Sequence, residues 1–390
     1  MNAEIREQAA TPSSRAGHRG IQVPDDPQLL EMMFADMNNG PDIFKPTNYW
    51  AVYENRFLPE LRTQGLHDFR RRRHSILDAF GAVDLPMRRE INLCRSKLVC
   101  NRITRRVPGW LSFVDSINAL LNRTLPFDEG ISPDDATRLA VERARAMGLP
   151  HGARSLEQLD ASLAGNPLDV IHVEGHAYTT SLLGYYVQYA YCCQFVDVDR
   201  LAVVVELGCG AGKQAEVLKK LHPHLALVLI DIPPQLYVGH QYLRTVFPDD
   251  CVSYQDSRAY DSLRPEPGRI YFLGAWQFPL LDQIEIDLFW NSASFQEMEP
   301  EIVLHYLRTV NERARYVFLR EGMDGWKVTQ RRGRLGVLSP TTLAHYTQGL
   351  SKFRRVDLRR SETPLGQSPD FSDSFWERDV GSGADRECRG

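Results

Sequence analysis

The sequence predicts an α/β protein: a mostly parallel β-sheet covered by helices on both faces, preceded by a mainly helical region. Three observations predict it. After residue 200, five short apolar runs recur with helical segments between several of them. A glycine-rich turn joins the first run to the first of those helices. Before residue 200 the apolar spacing is that of helices, with no such alternation.

Taken in order, residues 1–20 are polar and rich in Ser, Arg and Gly, and read as a disordered tail. Residues 21–197 form a helical N-terminal region suited to act as a lid over an acceptor. Its clearest helix starts at Ser132, with Pro133 at the first helical position, Asp134 and Asp135 at the positive dipole end, and Gly148 and Pro150 as the stop. Trp110–Leu121 and Tyr178–Phe195 also carry helical apolar spacing, the latter thick with Tyr and Leu.

The sheet domain spans 198–364. Its strands are read at Val203–Leu207, Leu225–Asp231, Ile270–Leu273, Ile286–Trp290 and Tyr316–Leu319. Its helices are read at Lys213–Leu221, Gln235–Phe247 and Pro300–Ala314. Apolar strands alternating with helices are buried on both faces, hence parallel. Residues 365–390 return to Ser, Gly, Arg, Asp and Glu and read as a second disordered tail.

The 390-residue chain has a net charge of −4, too near neutral for a nucleic-acid or membrane-surface binder. It has seven cysteines, none in a C-x-x-C pair, which argues against a disulfide framework or structural zinc and for reduced, cytoplasmic thiols. No stretch reaches the ~18 apolar residues of a membrane span. Asp282, Glu285 and Asp287 are close in sequence but scattered by strand alternation, so no metal is expected. The expected partner is a small molecule, and homo-oligomerisation stays open.

The informative segment is Glu206-Leu207-Gly208-Cys209-Gly210-Ala211-Gly212-Lys213, where a strand hands over to a helix. Glycines there let a ligand approach closely, and the helix start presents free N–H groups. A dinucleotide fingerprint fails because its third glycine falls on Lys213; a Walker loop fails at Gly212-Lys213-Gln214. What remains is acid-x-G-x-G-x-G. A second carboxylate, Asp231, ends the next strand, where it can accept both hydroxyls of a ribose.

The loop resembles motif I of class I methyltransferases that use S-adenosyl-L-methionine (SAM) and release S-adenosyl-L-homocysteine (SAH). A wider resemblance, over roughly residues 18–330, is to the sugar O-methyltransferases of bacterial polysaccharide and natural-product clusters. Its carriers are Lys45-Pro46-Thr47-Asn48-Tyr49-Trp50, Asp68-Phe69-Arg70-Arg71-Arg72, the glycine loop, Asp231-Ile232-Pro233, and Asn291-Ser292-Ala293-Ser294-Phe295-Gln296-Glu297-Met298. The resemblance implies a Rossmann-like, seven-stranded, mostly parallel sheet, SAM as methyl donor and a hydroxyl acceptor. It implies donor-binding roles for Glu206, Gly208, Cys209, Gly210, Gly212, Asp231 and Ile232. Gly274, Ala275 and Trp276 are expected near the adenine, with Asp256-Ser257 as the rival contact, and Asn291 near the methionyl group or the acceptor.

Methylating an alcohol calls for a general base, worth about 10²–10⁴-fold. The candidates are His172 and His176, with Glu174 between them to orient either ring, and Glu297 after the fourth strand. His305 is read as a solvated or packed side chain. The run Arg70-Arg71-Arg72-Arg73-His74 suits either an anionic acceptor or a solvated helix face, as do Arg331, Arg332 and Arg334. Tyr178, Tyr185, Tyr186, Tyr189 and Tyr191 suit either a pocket wall or buried packing. A phenol, carboxylate, nitrogen or carbon acceptor stays open beside the sugar, as do a non-catalytic SAM-binding scaffold subunit and, more distantly, a nicotinamide-dependent reductase.

Overall fold

The computed structural model describes residues 21–72, 75–83 and 133–379, with further helical positions at 110, 113, 114 and 117. The proposed N-cap Ser132 and most of Trp110–Leu121 lie outside the described residues.

The chain opens on helix α1, Pro27–Asn39, where the Asp26 carboxylate accepts the Leu29 N–H at 2.9 Å and Pro27 fills a first-turn position. Its face of Leu29, Leu30, Met33, Phe34 and Met37 is buried. Helix α2 is Asn48–Gln64 and α3 is Pro133–Gly148. A small hairpin follows, β1 (Ile171–Val173) and β2 (His176–Tyr178), in the segment that carries His172 and His176. Its two-residue turn, Glu174-Gly175, has φ of 53° and 91°, the positive pair that tight hairpins need. Helix α4, Thr180–Cys192, is capped by Thr179.

The sheet strands are β3 (Val203–Leu207), β4 (Ala226–Asp231), β5 (Ile270–Gly274), β6 (Ile286–Ser292), β7 (Ala314–Glu321), β8 (Phe353–Thr363) and β9 (Gly366–Arg378). Helices α5 (Lys213–Leu221), α6 (Pro233–Val246), α7 (Pro300–Arg313) and α8 (Leu343–Gly349) lie among them. The spatial order is β5-β4-β3-β6-β7-β9-β8. Pairings from β5 across to β7 are parallel, and β9 runs antiparallel to both β7 and β8. This is the seven-stranded, mostly parallel sheet expected of a class I methyltransferase. All five strands and three helices read from the sequence after residue 200 are present within a few residues of their expected bounds.

Strand alternation sorts the core into two layers. Val204, Leu227 and Leu229 face one side; Val205, Leu207, Val228 and Ile230 face the other. The first layer is continuous with the buried faces of α1, α2, α3 and α4, so the helical region and that side of the sheet share one hydrophobic core.

The second disordered tail is corrected over its described part; residues 380–390, like the first tail at 1–20, lie outside the described residues. Residues Gly366–Arg378 form β9, an interior strand between β7 and β8. Polar residues that suggested mobility lie in the first half of this strand, where its pairing with β8 is largely exposed. Phe375 and Trp376 are buried in opposite core layers, and Asp373 accepts from the Ser361 hydroxyl at 2.6 Å.

From β3 the chain adds β4 and β5 on one side, then crosses to β6 on the other. The carboxyl ends of β3 and β6 therefore splay around a crevice, the usual ligand position in open α/β sheets.

Candidate functional site

A cavity of about 600 Å³ lies at that crevice, within the range of roughly 300–1,000 Å³ typical of small-molecule sites. The loops after β3, β4 and β6 form one wall. The opposite wall comes from the start of α2, the segment 79–81, one face of α4 and the turn between β8 and β9.

The glycine turn is built as its sequence requires. Gly208 and Gly210 have φ of 78° and 53°, and Gly212, at 73°, starts α5. A Cβ on Gly208 would lie 2.3 Å from the Ser294 hydroxyl, so only glycine lets the β3 and β6 loops meet. Asp231 ties this turn to the next strand: its carboxylate accepts the Gly210 N–H and the Ile232 N–H, each at 2.8 Å. Burial nevertheless raises its pKa to about 7, with those two bonds pulling the other way. Glu206 is buried one residue before the end of β3, and its Oε2 has no hydrogen-bond partner. Burial first, and the Asp231 charge second, hold its pKa well above the carboxylate range.

The run Ser294-Phe295-Gln296-Glu297-Met298 forms the floor. Its backbone is fixed from beneath by the buried Glu321, which accepts the Gln296 N–H at 2.9 Å and the Ser294 N–H at 3.4 Å. Ala293, at the entrance of the run, sits in the left-handed region at φ 59°, a strained position held by its surroundings. The Gln296 side chain accepts the Gly322 N–H through Oε1, which leaves Nε2 as an unpaired donor in the cavity wall. Glu297 is the buried carboxylate of the floor. It is hydrogen-bonded by the Tyr49 hydroxyl and by the Trp50 indole, and Lys327 lies close enough to favour its charge. Burial outweighs all three and pushes its pKa up to about 8.

Of the residues expected to bind donor, the structure brings Glu206, Gly208, Cys209, Gly210, Asp231 and Ile232 to the cavity, with Gly212 just behind them at the helix start. It does not bring the other four. Asn291 is fully buried beneath the wall: its amide donates to the Leu207 carbonyl at 2.8 Å and accepts the Phe295 N–H at 3.1 Å. Both ends are consumed in joining the two loops, so Asn291 positions the site rather than touching a ligand. Gly274 and Ala275 are buried at the end of β5, and Trp276 folds back over Gly274 and packs against Gly40. None of these four lines the cavity, nor does the Asp256-Ser257 pair.

Among the candidate bases, Glu297 lines the cavity and the two histidines do not. His172 is exposed on β1, and His176 faces Asp160 at 3.5 Å on β2. Glu174 pairs with Arg145 at 2.8 Å rather than orienting either ring. His305 lies on α7 beside Arg308, outside this cavity. In the described part of the arginine run, Arg71 is exposed while Arg70 and Arg72 are structural. Arg70 is buried, donating to the carbonyls of Ser162 and Ala164 and to the Tyr242 hydroxyl; Arg72 donates to the carbonyls of Gln64, Gly65 and His67. Arg73 and His74 lie outside the described residues. Of the five tyrosines around α4, Tyr185 lines the cavity and the other four are buried in packing.

The sequence reading assigned no role to several lining residues: Tyr49, Trp50, Tyr53, Thr180, Gln188, Gln296, Trp326 and Lys327. Tyr49, Trp50 and Gln296 did carry the family resemblance. On α4, Thr180, Ser181, Gly184, Tyr185 and Gln188 follow helical spacing along a single face, a signal hidden by their mixed polarity.

Among the described residues, Asp199, His222 and His224 bring metal-ligating atoms within 4.8 Å of one another, away from the cavity. Both His222 nitrogens are already engaged, with Asp199 at 2.8 Å and the Tyr189 hydroxyl at 2.9 Å. The four described cysteines, Cys192, Cys193, Cys209 and Cys251, are free thiols. No helix among the described residues is long and apolar enough to cross a membrane.

No protein-family model and no curated protein matches the chain. Solved structures do. A magnesium protoporphyrin IX methyltransferase from Synechocystis PCC 6803 with bound SAH is 13% identical, over 51% of this chain and 84% of that one, at a TM-score of 0.34. Human N-acetylserotonin methyltransferase in complex with SAM is 17% identical, over 50% and 55%, at 0.30. A mitomycin 7-O-methyltransferase is 14% identical, over 49% and 57%, at 0.31. The match thus spans little more than half the length of the latter two. At such identities and TM-scores the likeness carries no inference about activity, which has to come from the site.

Proposed function

We propose that the protein is a SAM-dependent methyltransferase that methylates a sugar hydroxyl on a small or carrier-linked metabolite. The observation that carries this reading is Glu297: a buried carboxylate of raised basicity, in the same cavity as the glycine turn and Asp231. A nucleoside site beside a buried base is what transfer to a weakly acidic hydroxyl requires.

The residues present fit the donor. Each Asp231 oxygen spends one lone pair on a backbone N–H and keeps another for a ribose hydroxyl. The unpaired Glu206 Oε2 suits an ammonium group. The dinucleotide fingerprint that fails at Lys213 argues against the reductase alternative. Bound there, SAM supplies an electrophilic methyl group on a cationic sulfur.

The chain's own part follows. Tyr49 and Trp50 hold the Glu297 carboxylate in one orientation. Glu297 takes the proton as the acceptor oxygen forms its bond to carbon. The α2 start, the segment 79–81 and Trp326 cover the cavity and exclude water, which strengthens electrostatics inside. The rings of Tyr49, Trp50, Tyr53, Phe80 and Tyr185 offer apolar faces, while Gln188, Thr180 and Gln296 offer polar atoms left unpaired in the fold. That mixture suits a sugar, whose faces are apolar and whose rim is hydroxylated.

Those aromatic walls equally admit a phenol, so that reading stays as the second. Isotope-labelled SAM, incubated with the purified protein and a cell extract and followed by mass analysis, identifies the acceptor. Label on a sugar oxygen supports the proposal. Label on a phenol selects the second reading, and SAM binding without transfer to any component points to the scaffold subunit.

A further inference from the structure

Among the described residues, the cavity gathers three carboxylates, two of them buried, and few cations. Glu206 and Glu297 are 5% and 7% exposed, and Asp231 lies between their loops at the end of β4. They feel one another: Asp231 acts on both Glu206 and Glu297. The groups that face them come from every surrounding element. Cys209, on the β3 loop, and Tyr306, on α7, both feel the Asp231 charge. Tyr49 and Trp50 on α2 bond Glu297, and the buried Glu321 of β7 sits beneath it.

The cations among the described lining residues are Lys45, Arg320 and Lys327. Lys45 is paired with Asp42 at 2.7 Å, and Arg320 lies 3.7 Å from Asp373. Lys327 is exposed and lies over the Trp326 ring, and it is the cation that acts on Glu297. Among the described residues no cation acts on Glu206 and its Oε2 has no partner, a second sign that the site is completed by a ligand.

We propose that Glu206, Asp231 and Glu297, gathered in one cavity, form a charge-selective cage, so that the sulfonium donor binds more tightly than its neutral-sulfur product. This rests on the SAM reading and adds a property to it. SAM carries one more positive charge than SAH, on the sulfur. During transfer the S–CH₃ bond breaks, the O–CH₃ bond forms and the acceptor O–H bond breaks, its proton passing to Glu297. The positive charge thus leaves the sulfur and reappears on the carboxyl group as a proton. Afterwards the cage is neutralised by that proton and retains nothing specific for the thioether, which favours exchange of product for fresh donor.

The test is calorimetric titration of the full chain with SAM, SAH and sinefungin, whose amine stands where the sulfonium methyl stands. Titrations run between pH 6 and 9 in buffers of different ionisation enthalpy, so that proton release is read directly. One charge buried near one carboxylate predicts a preference for SAM and sinefungin over SAH on the order of ten- to a hundredfold at pH 8. More protons should be released with the two cations than with SAH. Glu297→Gln should keep SAH affinity, which also shows that the variant is folded, while its SAM preference shrinks severalfold. SAH binding as tightly as SAM, with equal proton release, overturns the cage and leaves the methyltransferase reading standing. If none of the three ligands binds, both fall together.

Discussion

Replacing Asp231 by asparagine tests the donor site without any knowledge of the acceptor. The carboxylate accepts two backbone N–H groups, from Gly210 through Oδ2 and from Ile232 through Oδ1. Asparagine keeps one acceptor oxygen and turns an amino group toward the other N–H. It also removes the charge behind any bond from a ribose hydroxyl. A charge-assisted bond contributes about 1.5–3 kcal/mol, and of two such bonds one is lost and the other weakened. The ligand term is then about 2–4 kcal/mol, a rise in the dissociation constant for SAH of roughly 30- to 1,000-fold. Calorimetry at pH 8 reads it, because Asp231, with a pKa of about 7, is ionised there in the free protein. Hydroxyl donors favour the ionised carboxylate, so wild-type affinity should fall as pH drops through about 7, while the variant stays flat. A change below threefold in a variant that still unfolds cooperatively would refute the assignment of Asp231 to the sugar of the ligand.

Three further outcomes are expected. Glu297→Gln should lower turnover by about 10²–10⁴-fold. The wild-type rate should rise with pH up to about 8, where Glu297 becomes ionised, and a pH-independent rate in the wild type would contradict a base role. Asn48 donates to the carbonyls of Arg334 and Gly336, at 2.9 and 2.7 Å, and accepts the Gly333 N–H at 2.9 Å, so Asn48→Ala should free the 326–337 loop. Limited proteolysis should then cut that loop severalfold faster, at unchanged SAH affinity. Asp231 and Glu297 both have pKa values raised by folding, so they stabilise the fold fully below about 4 and lose that contribution as pH rises through about 7 and 8. Thermal unfolding of the ligand-free protein should therefore occur at lower temperature at pH 8 than at pH 5.5, with a shallower dependence in Glu297→Gln.

The parallel half of the sheet was legible because its strands are buried on both faces and so read as continuous apolar runs, Val203-Val204-Val205 and Leu227-Val228-Leu229-Ile230 among them. The last two strands were not. In β8 the residues Arg354, Arg355, Arg359 and Arg360 point to water, and its apolar alternation is broken by irregularities between Arg355 and Asp357 and between Arg360 and Glu362. In β9 the buried residues include Asp373 and Ser374, which pair with neighbours instead of announcing a core. The glycine turn and Asp231 were legible for a similar reason: backbone geometry and a strand end leave marks that survive in one sequence. The lining from α2 and α4 comes from distant elements, and periodicity along one element cannot say which face meets another. His172 and His176 show the opposite error, since a short His-rich segment before a sheet domain is equally what an exposed two-residue turn looks like.

The two most specific stretches of the family resemblance, Lys45–Trp50 and Asn291–Met298, gain a physical reason once they are seen together. Thr47 approaches the Glu297 carbonyl at 3.5 Å, Tyr49 and Trp50 bond the Glu297 carboxylate, and Asn48 clasps the loop that carries Lys327 toward it. Each contact bears on the same group: its position, its orientation or its charge. Surface complementarity alone would not need an aromatic pair with two polar hydrogens aimed at one acid. A purely structural acid at this place would be costly, because burial already works against its ionisation. A helical region that merely closed over a finished site could be exchanged for another cover. Here the start of α2 supplies contacts that favour the charged form of Glu297, so this carboxylate has its full set of partners only when the helical region and the sheet are folded onto one core.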